Sequence, residues 1–211
     1  HREFTADTAD FRLNSYDLNE LAFSITNYQA HINLETRQGK FLSNGGLAQV
    51  AFPLNDYISF MDECTWLMDK DQIALRNTRV KRPDLEGLDY PALVDADNTG
   101  SEFVSTHKAQ DSLRFYADRG VFDLKENVIT AEGVYHMRVA DAAIYPAGRK
   151  VTIYRQAEMG TLSDAVILAD VNTRYHLITQ ATVNVHGRQQ YAASGKYLYA
   201  AAGNEEEVVH L

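Results

Sequence analysis

Leu113-Arg114-Phe115-Tyr116-Ala117-Asp118 decides the fold class, because apolar Leu113, Phe115 and Ala117 alternate with Arg114, Tyr116 and Asp118. A strand sends successive side chains to opposite faces, so a period of two marks a strand with one buried face. The alternation recurs at Ala181-Thr182-Val183-Asn184-Val185-His186, at Val151-Thr152-Ile153-Tyr154 and at Asn127-Val128-Ile129-Thr130-Ala131-Glu132. Tyr, Val, Ile, Thr and Phe fill these runs, as a pleated, half-buried surface favours. Residues 18–25 and 162–169 are the segments expected to form helices, both short. The expected class is all-β.

Outward from these strands the chain reads as hairpins. Trp66-Leu67-Met68-Asp69-Lys70-Asp71-Gln72-Ile73-Ala74-Leu75 aligns with Phe122-Asp123-Leu124-Lys125-Glu126-Asn127-Val128-Ile129-Thr130-Ala131: apolar residues, a charged corner, then a β-branched strand. Ile32-Asn33-Leu34-Glu35-Thr36-Arg37-Gln38-Gly39-Lys40-Phe41 aligns with both and places Gly39 where a turn takes positive φ. Further corners fall at Pro146-Ala147-Gly148-Arg149 and at His186-Gly187-Arg188. Such repeated hairpins fit an open jelly roll, a sandwich or a β-solenoid. Residues 77–100, rich in Asp, Asn, Arg and Pro and containing Arg82-Pro83-Asp84, interrupt the pattern. The expected organisation is an N-terminal β layer over 1–76, a polar excursion or joint over 77–102, and β repeats over 103–211, together one continuous module.

Composition narrows the function. Hydrophobic residues make up 45% and charged ones 23% of the 211, so the chain is expected to bury a core rather than stay disordered. The formal charge of -9 leaves no basic surface for phosphates, which argues against a nucleic-acid partner. Cys64 is the one cysteine, which excludes an intrachain disulfide and every multi-cysteine metal site. No apolar run reaches the length of a membrane span. The chain opens at His1 without a charged-then-apolar leader and ends on Glu205-Glu206-Glu207-Val208-Val209-His210-Leu211, so it is read as a piece of something longer.

Two resemblances add a setting. Tyr116-Ala117-Asp118-Arg119-Gly120-Val121-Phe122-Asp123-Leu124-Lys125-Glu126-Asn127-Val128-Ile129-Thr130-Ala131-Glu132-Gly133 resembles the OstA-like repeat of lipopolysaccharide-transport proteins. In that family a strand ends in an Asp-rich turn, a second strand returns and a Gly follows, along an open β-jelly roll. More widely, Phe52-Pro53-Leu54-Asn55, Trp66-Leu67-Met68-Asp69-Lys70, Ser105-Thr106-His107-Lys108-Ala109-Gln110-Asp111-Ser112-Leu113, Val139-Ala140-Asp141-Ala142-Ala143-Ile144-Tyr145-Pro146 and Arg174-Tyr175-His176 resemble phrases of very large cell-envelope proteins of Bacteroidetes-type bacteria. These resemblances imply a periplasmic or outer-membrane-associated location, a multidomain parent and no particular chemistry.

Each chemical motif has a structural counterpart. Asp95-Ala96-Asp97-Asn98-Thr99-Gly100 resembles the opening of a calcium loop, but Thr106 stands where the closing Glu belongs. A solvated turn explains the same letters. The seven histidines show no metal-ligand spacing, and His107 with Asp111, near Gln110, is the one conceivable general-base pair. His136 beside Tyr135 and Arg138, and His176 after Arg174-Tyr175, read as strand or loop histidines. Asp62, Glu63 and Asp69 cluster around Trp66 and Tyr57, as at a glycosidase site. Adjacent Asp62 and Glu63 would face opposite sides of a strand, however, and Trp66 reads as a packing residue. Ser194-Gly195-Lys196 lacks the upstream Gly of a phosphate loop. Tyr191, Tyr197 and Tyr199, with Gly187, Gly195, Ala192, Ala193 and Ser194, either line an open groove or belong to a terminal strand packed on a further domain.

The resulting expectation is a non-catalytic β module of an envelope protein, a scaffold or groove whose partners are neighbouring domains, a glycan or a lipid. No catalytic, cofactor or metal residue is assigned. Lipopolysaccharide transport through an open jelly roll is the alternative, and a carbohydrate-active β-helix using Asp111 or Asp141 is the third reading.

Overall fold

The computed structural model describes residues 2–46, 48–79, 85, 87–96, 100–199 and 205–210. Strand β2 (Leu21–Asn33) organises them. One of its edges pairs with β1 (Glu3–Asn14), from Asn33 opposite Glu3 to Leu21 opposite Asn14. Its other edge is divided. Tyr28 to Asn33 pair with β3 (Gln38–Ser43), and Ser24 to Thr26 pair with β4 (Gln49–Phe52). Asn27 lies between the two with φ +65°. Its Nδ2 donates to the Gly45 carbonyl at 3.2 Å, and the Asn44 N–H donates to the Asn27 carbonyl at 3.1 Å. The first passage of the chain from one partner of β2 to the other is pinned there.

Two wings grow from that divided edge. From β3 the first runs through β6 (Glu63–Leu67), β7 (Gln72–Arg76), β10 (Arg119–Asp123), β11 (Val128–Glu132) and β14 (Lys150–Ile153). From β4 the second runs through β5 (Tyr57–Ser59), β8 (Ser101–Ser105) and β9 (Arg114–Ala117). Among the described residues these form one 12-stranded sheet, and successive hairpins go to alternate wings. A 6-stranded sheet comprises β12 (Met137–Val139), β13 (Ala142–Tyr145), β15 (Leu162–Ala169), β16 (His176–Gly187), β17 (Gln190–Tyr199) and β18 (Glu205–His210). Its β12 lies beside β9. The antiparallel sheets curl into a half-barrel, sandwich-like, all-β body.

The wings meet over aromatic side chains. Phe52 of β4 packs edge-on against Phe122 of β10, with ring centroids 5.2 Å apart, and Phe122 stacks on Phe23 of β2. Phe103 and Phe115 stack at 5.4 Å and extend the row. All five rings are buried, and each contributes on the order of 1.5–3 kcal/mol through apolar area removed from water. The alternation read from sequence is the buried-exposed pattern here: Ala181, Val183 and Val185 are buried, while Thr182, Asn184 and His186 are exposed.

Three local expectations are corrected. Residues 18–25 contain a turn and the start of β2, not a helix. Ala22 and Phe23 are both buried at the start of β2, which interrupts the alternation that marks a strand. Residues 162–169 are β15, not a helix. Asp164 has φ +54°, and the register slips between Leu162 and Ala165 and again before Ile167. These bulges put buried Leu162, Ala165 and Leu168 three apart, which mimics helical spacing. Gly39 lies within β3, and positive φ falls on Arg37 instead. A Cβ on Gly39 would stand 3.2 Å from the Phe41 ring, so close packing accounts for that glycine.

The stretch from Tyr116 to Gly133 contains the tightest crossing. Asp118 is the single residue between β9 and β10; its N–H donates to the Glu132 carbonyl at 2.9 Å, and its carbonyl accepts from the Asn77 N–H at 3.1 Å. Gly133 follows β11 with φ +78°, and a Cβ there would fall 2.3 Å from Asp118 Oδ2. The polar excursion re-enters the body as helix α1 (Tyr90–Asp95), capped by the Asp89 carboxylate accepting from the Ala92 N–H at 2.9 Å. Val94 of α1 packs on Ala143, Tyr145 and Leu168 of the smaller sheet. Arg82-Pro83-Asp84 lies outside the described residues.

Gly133→Ala combines an unfavourable φ with a clash, so it is expected to lower unfolding free energy by about 2–4 kcal/mol in urea titration.

Candidate functional site

The Lys108–Gln110 corner of the second wing, the edge of the first wing and the adjoining ends of β15 and β16 enclose a cleft. Pro53–Asn55 and Lys108–Gln110 are single 3-10 turns, closed by Asp56 and Asp111 in the left-handed region. Met68–Lys70, closed by left-handed Asp71, is built the same way on the first wing. In each, the N–H of the Asp donates back to the carbonyl three residues earlier, so the third turn residue is left to project its side chain. After β14, Gln156 and Ala157 take φ +55° and +58°, which folds the chain back so that Met159 bridges to Ile153. Two successive non-glycine residues at positive φ hold only where the surroundings over-determine them.

Gln110 supplies that restraint. It is buried, and its Oε1 accepts from the Tyr57 hydroxyl at 2.9 Å while its Nε2 donates to the Ala157 carbonyl at 2.5 Å. Its backbone carbonyl accepts from the Arg188 N–H at 3.0 Å, which brings in the β16–β17 turn. Asn55 does the corresponding work from its own corner, with Nδ2 donating to the carbonyls of Asn127 (2.8 Å) and Ile153 (3.3 Å). Burial pushes the Tyr57 hydroxyl far above the ordinary phenol range, so it stays a donor.

Above this network lies a half-open cleft of about 770 Å³. Thr152 of β14, Thr161, Asn184 and His186 of β16, and His107 contribute its polar wall. Thr161 donates its hydroxyl hydrogen to Asn184 Oδ1 at 2.7 Å. His107 Nδ1 is buried there without a hydrogen-bond partner. His107 and Asp111 stand at opposite ends of one turn, and Asp111 is exposed, so they do not form a base pair.

The other sequence candidates are dispersed. Asp62 is buried and accepts from the N–H groups of Thr78 and Arg79, both at 2.8 Å, which makes it the anchor of the loop after β7. Asp69 pairs with Arg37, and Trp66 packs on Phe11 with centroids 5.3 Å apart. Asp95 is held by both guanidinium nitrogens of Arg174, at 2.5 and 2.6 Å, so its carboxylate is occupied; Asp97, Asn98 and Thr99 lie outside the described residues. His176 Nδ1 meets the Tyr197 hydroxyl at 2.9 Å, and Tyr191 packs half-buried against the core. These tyrosines and Ser194-Gly195-Lys196 lie on β17, which is paired on both edges; the side chain of Tyr199 lies outside the described residues. Exposed Asp141 is remote in sequence from Asp111, and its charge, after burial, raises the Tyr191 hydroxyl. The Cys64 thiol is buried and pushed well above the ordinary thiol range by that burial, so it is no nucleophile at neutral pH. Among the described residues no group of three His, Cys, Asp or Glu side chains is placed to hold a metal ion, and no helix is long and apolar enough to cross a membrane.

Sequence reading named His107, Gln110 and Asp111 but missed the cleft. Its signal was Pro53-Leu54-Asn55-Asp56 and Lys108-Ala109-Gln110-Asp111: corners whose third residue is an amide and whose fourth is Asp. Compared with known proteins, the chain matches no protein-family model and no curated protein.

Two outcomes follow from this geometry. Gln110→Leu keeps the volume but strands the Tyr57 hydroxyl and the Ala157 carbonyl, and is expected to cost about 2–4 kcal/mol in urea unfolding, against about 0.5 or less for exposed Gln156→Leu. His136, against the Tyr145 ring, is pushed down to about 4 from 6.5 by burial and then by Arg138. The folded protein therefore keeps this imidazole neutral while the unfolded chain protonates below 6.5, so stability is full above that value and falls as pH drops towards about 4. His136→Phe is expected to remove on the order of 1–2 kcal/mol of the stability difference between neutral pH and about pH 4.5, read from urea midpoints.

Proposed function

We propose that this chain is a non-catalytic β-rich module of a large bacterial envelope protein, and that the cleft beside β14 is its binding groove. The supporting observation is the cleft wall. Hydroxyl, amide and imidazole groups, with Lys150 and Glu158 among them, project from a wall held by the Gln110 and Asn55 network. Such a wall can orient a polar ligand through hydrogen bonds. The envelope setting, periplasmic or at the outer membrane, rests on the resemblance of residues 116–133 to the OstA-like repeat. Neighbouring domains of the same chain are then its natural partners.

A lipid conduit draws less support, because acyl chains need an unfilled apolar channel and Phe23, Phe52, Phe103, Phe115 and Phe122 occupy the space between the wings. A glycosidase draws none from Asp111 and Asp141, neither of which lines the cleft.

Thermal-shift and NMR titration of the chain with polar ligand libraries tests the reading. A binder whose shifts map to Thr152, Asn184 and His186, and whose affinity falls about tenfold or more in Asn184→Lys, is the expected outcome. Release of a cleavage product from any bound ligand would overturn it.

A further inference from the structure

Tyr154 follows β14 and is 42% exposed. Its N–H donates to the Glu158 carbonyl at 2.7 Å, and its ring edge lies 3.4 Å from where a Cβ on Gly160 would stand, so the ring is held in place while remaining open to solvent. Three depressions adjoin at this residue. The first is the cleft already described. The second, of about 570 Å³, lies around Arg155 and shares Gln156 and Glu158 with the first. The third, of about 380 Å³, crosses the outer face of the first wing past Gln72 and Thr130 and shares Glu126 with the second. Together they form a trough that bends around one exposed aromatic ring.

The chemistry of the trough selects its ligand. Its walls offer hydroxyls and amides from Thr130, Thr152, Gln72, Gln156 and Asn184, interspersed with the carboxylates of Asp123, Glu126 and Glu158. The cations at its margin are already paired: Lys125 with Asp71 at 2.9 Å, Lys150 with Glu132 at 2.8 Å and Arg155 with Asp17 at 2.5 Å. With a formal charge of -9 on the chain, a phosphate- or carboxylate-bearing ligand finds repulsion rather than a counter-charge. An acyl chain would meet polar walls. A sugar ring matches both features, since its apolar face can lie on a tyrosine ring while its hydroxyls exchange hydrogen bonds with amides and threonines.

We infer that the trough binds a linear, uncharged polysaccharide, with Tyr154 as the stacking platform between the cleft and the outer face of the first wing. This rests on the reading of the cleft as a binding groove and names the ligand class for it. Strands β7, β11 and β14 present Gln72, Thr130 and Thr152, so the chain is bound along its length and affinity grows with the number of sugar units.

Affinity electrophoresis of the chain in gels containing hydroxyethylcellulose, xylan or glucomannan tests the inference, with polygalacturonate and lipopolysaccharide micelles as charged comparisons. The expected result is retardation by at least one neutral polysaccharide, unchanged between low and high salt. Tyr154→Ala is expected to weaken that binding about tenfold or more, and Tyr154→Phe to stay within about threefold, because the ring rather than the hydroxyl makes the contact. Melting curves confirm that both variants are folded, and Thr130→Lys, on the half-buried outer face of the first wing, is expected to reduce binding of long chains more than that of trisaccharides. Retardation only by polygalacturonate or lipopolysaccharide, or neutral binding that survives Tyr154→Ala, overturns the polysaccharide assignment. If another polar ligand then maps to Asn184 and His186, the groove reading stands without it; if no polar ligand maps there, both fail.

Discussion

Two buried side-chain amides hold the architecture of this protein together. Gln110 and Asn55 each reach from a corner of the second wing into backbone that belongs to the far edge of the first. Backbone carbonyls at a sheet margin have lost their ladder partners and cannot be left dry without a cost of about 1–3 kcal/mol each. Supplying an amide donor from the opposite wing satisfies them and fixes the spacing of the wings at once. The aromatic row provides most of the apolar stabilisation but tolerates sliding; the amides do not, because a hydrogen bond fails within a fraction of an ångström.

The same restraint explains why a cleft can persist beside β14. The chain there passes from the first wing to the smaller sheet through Gln156 and Ala157, both in the left-handed region. The Ala157 carbonyl is anchored there by Gln110, which holds the reversal in place. Surface ion pairs such as Arg119–Glu132–Lys150 decorate the outer face, but exposed pairs of this kind contribute little, so they influence charge at the surface more than stability.

Much of the fold was legible in the sequence because half-buried strands announce themselves by alternation, as Ala181 to His186 does. Legibility failed where the physics departs from that pattern. Ala22 and Phe23 are buried side by side at the start of β2, and β15 is bulged at Asp164, so neither keeps a period of two there. The candidate site was less legible still. Gln110 and Asn55 look like ordinary polar corner residues, and only the pairing of distant strands reveals that their amides point inward. Tyr154 reads in sequence as one more strand aromatic; its exposure depends on the fold-back at 155–157 that follows it.

The alternation of hairpins between wings carries a consequence for how the chain reaches its native state. In the first wing Arg76 lies opposite Arg119, so the β7–β10 ladder can close only after the intervening residues have been set aside as a strand pair of the other wing. Loop closure on this scale is entropically slow. Until it happens, the margins of β7 and β10 are unpaired and able to recruit strands from other molecules. A protein of this design gains a deeply interlocked body at the expense of a vulnerable interval during its synthesis, and is one for which escorting chaperones would matter more than for a helical domain of equal size.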